Sequence, residues 1–189
     1  HHLSNTARSM AALHLIAGVR EAASIRETGL TAHAIGCFAM NPQGHQDGHV
    51  IGIVGGMGPD AGIYLAHQIT ELTRAGVDES DMDVILASCP RGIADRTEFV
   101  LGHTDENPAH SINAVIDLLA RAGAGLVGMA CNTAHARPIL DVVERHVEDR
   151  HPEMRLVSMV ESVKSELIGL GPAGRVAVLG TLGTFAADI

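Results

Sequence analysis

Apolar and polar positions are ordered from His49 onward. Val50–Val54 is a short β-branched run closed by Gly55-Gly56, the pattern of a buried strand. Pro59 suits the first position of a helix and Asp60 its first turn. Leu65, Ile69 and Leu72 then recur at helical spacing, and Gly76 closes that element. Residues 84–87 read as a second strand and 88–95 as a loop. Ile112, Val115, Ile116 and Leu119 follow an i, i+3, i+4, i+7 spacing, which predicts a helix over 108–122 stopped by Gly123 and Gly125. A third strand is expected over 126–130 and a helix over 132–148. A fourth strand over 155–157, a helix over 162–170 and a fifth strand over 175–179 complete the series. Strands alternating with helices of this length predict an α/β fold, a parallel sheet with helices on both faces. Ligands of such sheets sit at the carboxyl ends of strands. The informative residues are therefore Gly55–Pro59, Ser88–Arg96, Cys131–His135 and Gly180–Thr184.

Residues 1–39 break the pattern. They carry net charge +1 and four of the twelve histidines, so the remaining 150 residues carry −10. Met10 to Val19 is apolar but interrupted by His14, a poor secretion signal. Residues 1–47 read as an extension or leader, with Met40 as the expected natural start. At the other end Ile51 to Gly58 aligns with Val176 to Gly183 at an offset of 125 residues. This repeat predicts one α/β domain over 48–154, with 155–189 carrying the crossover and opening of a second, similar domain.

Composition narrows the function. With 46% apolar and 19% charged residues the 189-residue chain can bury a core. No apolar run reaches the roughly 20 residues of a membrane span. A net charge of −9 and only Tyr64, Phe38, Phe99 and Phe185 as aromatics exclude a nucleic-acid partner. Cys37, Cys89 and Cys131 are too few and scattered for a disulfide framework or a zinc site, so a cytoplasmic location is expected. His67, His103 and His110 lack ligand spacing, and no metal is expected.

Gly56-Met57-Gly58-Pro59-Asp60-Ala61 satisfies the dinucleotide fingerprint in form, but the second strand ends in Ser88-Cys89-Pro90 where a ribose-binding acid is needed. What remains is a close-approach glycine turn at a helix start, suited to a carboxylate. Cys131-Asn132-Thr133-Ala134-His135 is the strongest feature. Cys131 sits where a strand hands over to a helix, a place that favours a thiolate; the alternative is a small buried residue followed by helix caps. Arg96 suits a bidentate carboxylate clamp, or an ion pair with Asp95 or Glu98. Cys89 reads as a small residue, and His135 as a group that tunes Cys131 or caps the helix.

Together Ile51–Pro59, Ala94–Thr97 with Asn107-Pro108, Met129–Ala136 and Leu179–Thr184 resemble the aspartate/glutamate racemase family, its aspartate branch above all. The resemblance covers residues 48–189. It implies two pseudo-symmetric domains and an amino-acid racemase that needs neither pyridoxal phosphate nor metal. Two cysteines would flank the substrate Cα, one removing a proton as thiolate and the other delivering one as thiol. By resemblance Cys131 is the first of these. Asn132 and Thr133 would hold the substrate carboxylate, Arg96 the second carboxylate, and Met57 would line the site. Thr181 and Thr184 would approach from the second domain. The family's second cysteine, in a Gly-Cys-Thr-Glu motif, would fall near position 250, so the chain alone is expected to be inactive. The alternatives are a single-cysteine decarboxylase or isomerase acting on a small dicarboxylate, and a non-catalytic carboxylate-binding module. The expected partner is a small amino acid or dicarboxylate. Dimers are common in the family, so a homodimer is admissible.

Overall fold

The structure, a computed structural model, describes residues 50–73, 82–169, 180–187 and 189. Four parallel strands form one sheet in the order β2-β1-β3-β4: β1 (Val50–Gly55), β2 (Val84–Ser88), β3 (Ala124–Met129) and β4 (Arg155–Val157). The helices are α1 (Pro59–Thr73), α2 (Arg96–Val100), α3 (Ala109–Arg121), α4 (Arg137–Arg150), α5 (Met159–Gly169) and α6 (Leu182–Ala186). A three-residue 3-10 turn, Thr133–His135, separates β3 from α4.

Strand β1 is buried along its whole length, and its alternation divides the core. Val50 and Val54 face Ile112, Ile116 and Leu119 of α3 and Ile139 and Val143 of α4. Ile51 and Ile53 face Leu65 and Ile69 of α1 and Met159 of α5. Helices thus cover both faces, as the alternating pattern requires. Each fully buried Ile or Leu contributes about 1.5–3 kcal/mol relative to exposure, so these two layers hold the sheet.

The connections explain where a ligand belongs. From β1 the chain passes through α1 to β2 on one side. From β2 it crosses back through α3, on the other face, to β3 on the far side of β1. Crossovers therefore leave β1 in opposite directions, which opens a crevice at its carboxyl end.

Several expectations shift. The expected helix over 132–148 is broken, because Ala136 is extended at ψ 133 and α4 begins at Arg137. Pro138, lacking an N–H, could not accept its place inside one continuous helix but suits the first turn of a new one. Leu72, in the last turn of α1, is exposed rather than buried. Helix α5 begins at Met159, three residues before the expected start, with the Ser158 hydroxyl accepting from the Glu161 N–H at 3.3 Å. Helix α2 was not anticipated; Asp95 caps it, accepting from the N–H groups of Thr97 and Glu98 at 2.7 and 3.1 Å. The expected fifth strand, the end of the first helix at Gly76, and all of residues 1–49 lie outside the described residues. Among those described, no helix is long and apolar enough to cross a membrane.

Candidate functional site

Three loops meet at the carboxyl ends of the strands. The loop after β1 turns at Gly56, with φ +91, a left-handed conformation that glycine adopts without strain. A side chain there would also meet backbone: an added Cβ would lie 2.7 Å from the nitrogens of Cys89 and Pro90. Gly56 therefore lets the loop after β1 rest directly on the loop after β2. Met57 follows, nearly fully buried in the larger core cluster, and Cys89 and Cys131 both pack against that cluster while half-buried.

Cys131 leaves β3 just before the 3-10 turn. The long helix expected immediately behind it is displaced by that turn, so the macrodipole of α4 does not begin at Cys131. His135 does not reach the thiol. Its Nδ1 bonds the Cys131 backbone oxygen at 2.8 Å, and the Met159 N–H donates to its Nε2 at 3.2 Å. Because Nε2 accepts, the proton sits on Nδ1 and the ring is the neutral tautomer. Burial pushes the His135 pKa below its ordinary value, with the bond to the Cys131 carbonyl pulling the other way. The ring thus ties the backbone at Cys131 to the first N–H of α5, a donor that a helix cannot satisfy internally.

Asn132 is exposed and its side chain makes no capping bond, which leaves its amide facing solvent beside Cys131. Thr133 is buried, and its hydroxyl lies 3.5 Å from that of Thr181. The Thr181 hydroxyl is 3.2 Å from that of Thr184 and accepts from the Thr184 N–H at 3.3 Å, capping α6. Gly183 allows this docking: an added Cβ would lie 2.7 Å from the Thr97 hydroxyl and 3.0 Å from the Thr133 methyl. Helix α6, α2 and the 3-10 turn therefore meet at one point, bringing Thr133, Thr181 and Thr184 together with the helix that Arg96 opens.

Arg96 forms no ion pair with Asp95 or Glu98 among the described residues. Asp95 is occupied as a cap, and Glu98 bonds His103 at 3.1 Å. One Arg96 terminal nitrogen donates to the Ala94 carbonyl at 3.2 Å, while its buried Nε has no partner. A buried, unpaired guanidinium nitrogen costs stability unless something accepts from it, and a carboxylate is the natural acceptor. Asn107 has a scaffold role: its oxygen accepts from the Ala109 N–H at 2.9 Å and its amide donates to the Pro138 carbonyl at 3.0 Å, tying α3 to α4. At the opposite end of the sheet Asp117, His146 and His151 converge. The sequence reading did not single them out; the signal available was a His pair, 146 and 151, straddling the end of one helix.

The arrangement has known counterparts. The family described as Asp/Glu/Hydantoin racemase matches residues 54–189. The solved structure of Picrophilus torridus aspartate racemase is 30% identical with a TM-score of 0.52, over 66% of this chain and 49% of that one. An aspartate racemase homologue from Pyrococcus horikoshii is 26% identical with a TM-score of 0.50, over 65% of this chain and 50% of that one. The chain thus spans about half the length of these solved structures. The sheet, the strand-end loops and these matches agree, and the chain belongs to the Asp/Glu/Hydantoin racemase family.

Proposed function

We propose that residues 48–189 supply the first half of a racemase that inverts aspartate, or glutamate, without pyridoxal phosphate or a metal. Cys131 as thiolate takes the proton from Cα, forming an S–H bond as the C–H bond breaks. A cysteine thiol from a second, similar domain delivers its own proton to the opposite face. The electron pair left on Cα is spread into the substrate carboxylate, which needs close donors while the charge exists. The exposed amide of Asn132 and the hydroxyl of Thr133 serve that carboxylate. The unpaired Nε of Arg96 takes the second carboxylate, Met57 lines the floor, and Thr181 and Thr184 close the site from the second half's side. The reduced thiols this chemistry needs suit a cytoplasmic enzyme, for which a homodimer is admissible.

The observation that carries this reading is the Cys131-Asn132-Thr133 segment at the carboxyl end of β3, beside the crevice at β1, with Thr181 docked on Thr133. The test is alkylation of Cys131 by iodoacetamide, followed by peptide mapping that separates it from Cys37 and Cys89. Aspartate should slow labelling of Cys131 and leave Cys37 unchanged, and Arg96→Ala should remove that protection. Labelling of Cys131 indifferent to aspartate, glutamate and other small dicarboxylates would exclude a carboxylate site at this thiol.

A further inference from the structure

The face formed by α3 and α4 carries a group of side chains that the proposed chemistry does not use. Asp117 lies in the penultimate turn of α3, His146 near the end of α4, and His151 directly after it. Both rings offer Nε2 to the same atom, Asp117 Oδ1, each at 2.7 Å. The rings stand edge-to-face with centroids 5.8 Å apart, and the three ligand atoms all lie within 4.8 Å of one another. Helix α3 runs from the carboxyl end of β2 to the amino end of β3, and α4 from the carboxyl end of β3 to the amino end of β4. The group therefore sits at the amino-terminal end of the sheet, away from Cys131.

We propose that Asp117, His146 and His151 form a binding site for a divalent transition-metal ion, of which Zn²⁺ is the best-suited probe. Two imidazoles and one carboxylate are the donor set of three-ligand zinc centres, whose fourth position stays with water. The set fits here by size. Zinc bonds of about 2.0–2.2 Å in tetrahedral geometry separate neighbouring ligand atoms by roughly 3.3 Å. Each N···O contact of 2.7 Å must therefore open by about 0.6 Å, a shift on the scale of small side-chain rotations. Access fits as well: the Asp117, His146 and His151 side chains are 32%, 20% and 16% exposed, so an ion can enter and keep a water. Among the described ion pairs Asp117 has only these two histidines, so no lysine or arginine of the described residues competes for its oxygens. Bound there, the ion would bridge α3 to α4 and stabilise the folded chain by mass action.

The experiment is a Zn²⁺ titration of the metal-free 189-residue chain, read by calorimetry and by thermal unfolding. The chain has twelve histidines, so the comparison is with a His146→Gln/His151→Gln variant whose unfolding without metal is measured alongside. The unmodified chain should bind one equivalent more than the variant and gain a larger rise in unfolding temperature. Asp117→Asn should weaken that equivalent by at least the roughly 10–100-fold that loss of even an outer partner of a metal ligand costs. X-ray absorption of the unmodified chain at one equivalent provides a readout that does not depend on the variants. It should show a first shell of two imidazoles and oxygen. Equal stoichiometry in chain and variant, or a shell containing sulfur, overturns the proposal.

Discussion

His135 offers a perturbation whose size follows from its two bonds and its burial. In the folded chain its Nδ1–H donates to the Cys131 carbonyl and its Nε2 accepts from the Met159 N–H. A proton on Nε2 would face that N–H, and burial already disfavours charge. The folded pKa is thus below the unfolded value of about 6.5, so the unfolded chain takes up the proton first as pH falls. Stability is fully present above about pH 6.5 and is lost below it, down towards the folded pKa. Between about pH 8 and about pH 5.5, a proton taken up by the unfolded chain in preference to the folded one costs at most about 1.4 kcal/mol. His135→Asn keeps a donor for the Cys131 carbonyl, cannot reach Met159, and does not titrate. At about pH 8 it should destabilise by about 1–3 kcal/mol, the cost of an orphaned buried N–H. At about pH 5.5 the gap between the two proteins should narrow, by at most about 1.4 kcal/mol. Urea unfolding with linear extrapolation at the two pH values measures both gaps. A gap of the same size at both would refute the buried neutral imidazole, and no gap at the higher pH would refute its role as a backbone tie.

Other substitutions test the scaffold around the site. Gly56→Ala combines a left-handed backbone with a Cβ 2.7 Å from the Cys89 and Pro90 nitrogens, and should cost about 2–6 kcal/mol in chemical denaturation. Gly183→Ala would press on Thr97 and Thr133 and should cost about 1–3 kcal/mol, with faster proteolysis of residues 181–189 as α6 lifts from α2. Ile116→Ala, at a position with 0% exposure between α3 and the sheet, should cost about 2–5 kcal/mol in the same assay.

The elements with long, regular apolar spacing were legible in the sequence. Ile112, Val115, Ile116 and Leu119 are all buried on α3, which runs from Ala109 to Arg121 against an expected 108–122. Strand β1 was equally plain, because a fully buried strand is an uninterrupted apolar run. Short elements were less so. Helix α2 spans only five residues and buries none fully, so no periodicity betrays it; Asp95 with Glu98 three residues on was the capping signal. The break at Ala136 escaped notice because Pro138 is tolerated near a helix start, and the apolar spacing of Ile139, Leu140 and Val143 does not say where that start lies. At the site, spacing located the loops but not what their side chains would hold. His135 is four residues after Cys131, which is compatible with touching either its sulfur or its carbonyl; only packing against Met159 selects the carbonyl. Asp117 and the two histidines lie about thirty residues apart and meet only because α3 packs on α4, a contact that no local pattern encodes.

If Cys131 is the acid/base proposed above, it exchanges a proton with the Cα of an acidic amino acid. The decisive measurement is deuterium incorporation at Cα of L-aspartate in D₂O, with residues 48–189 joined to a second racemase domain that supplies a cysteine. Deuterium should enter as D-aspartate appears, both should be lost in Cys131→Ser, and neither should occur with the 189-residue chain alone. Exchange that survives Cys131→Ser, or racemisation by the 189-residue chain alone, would contradict it.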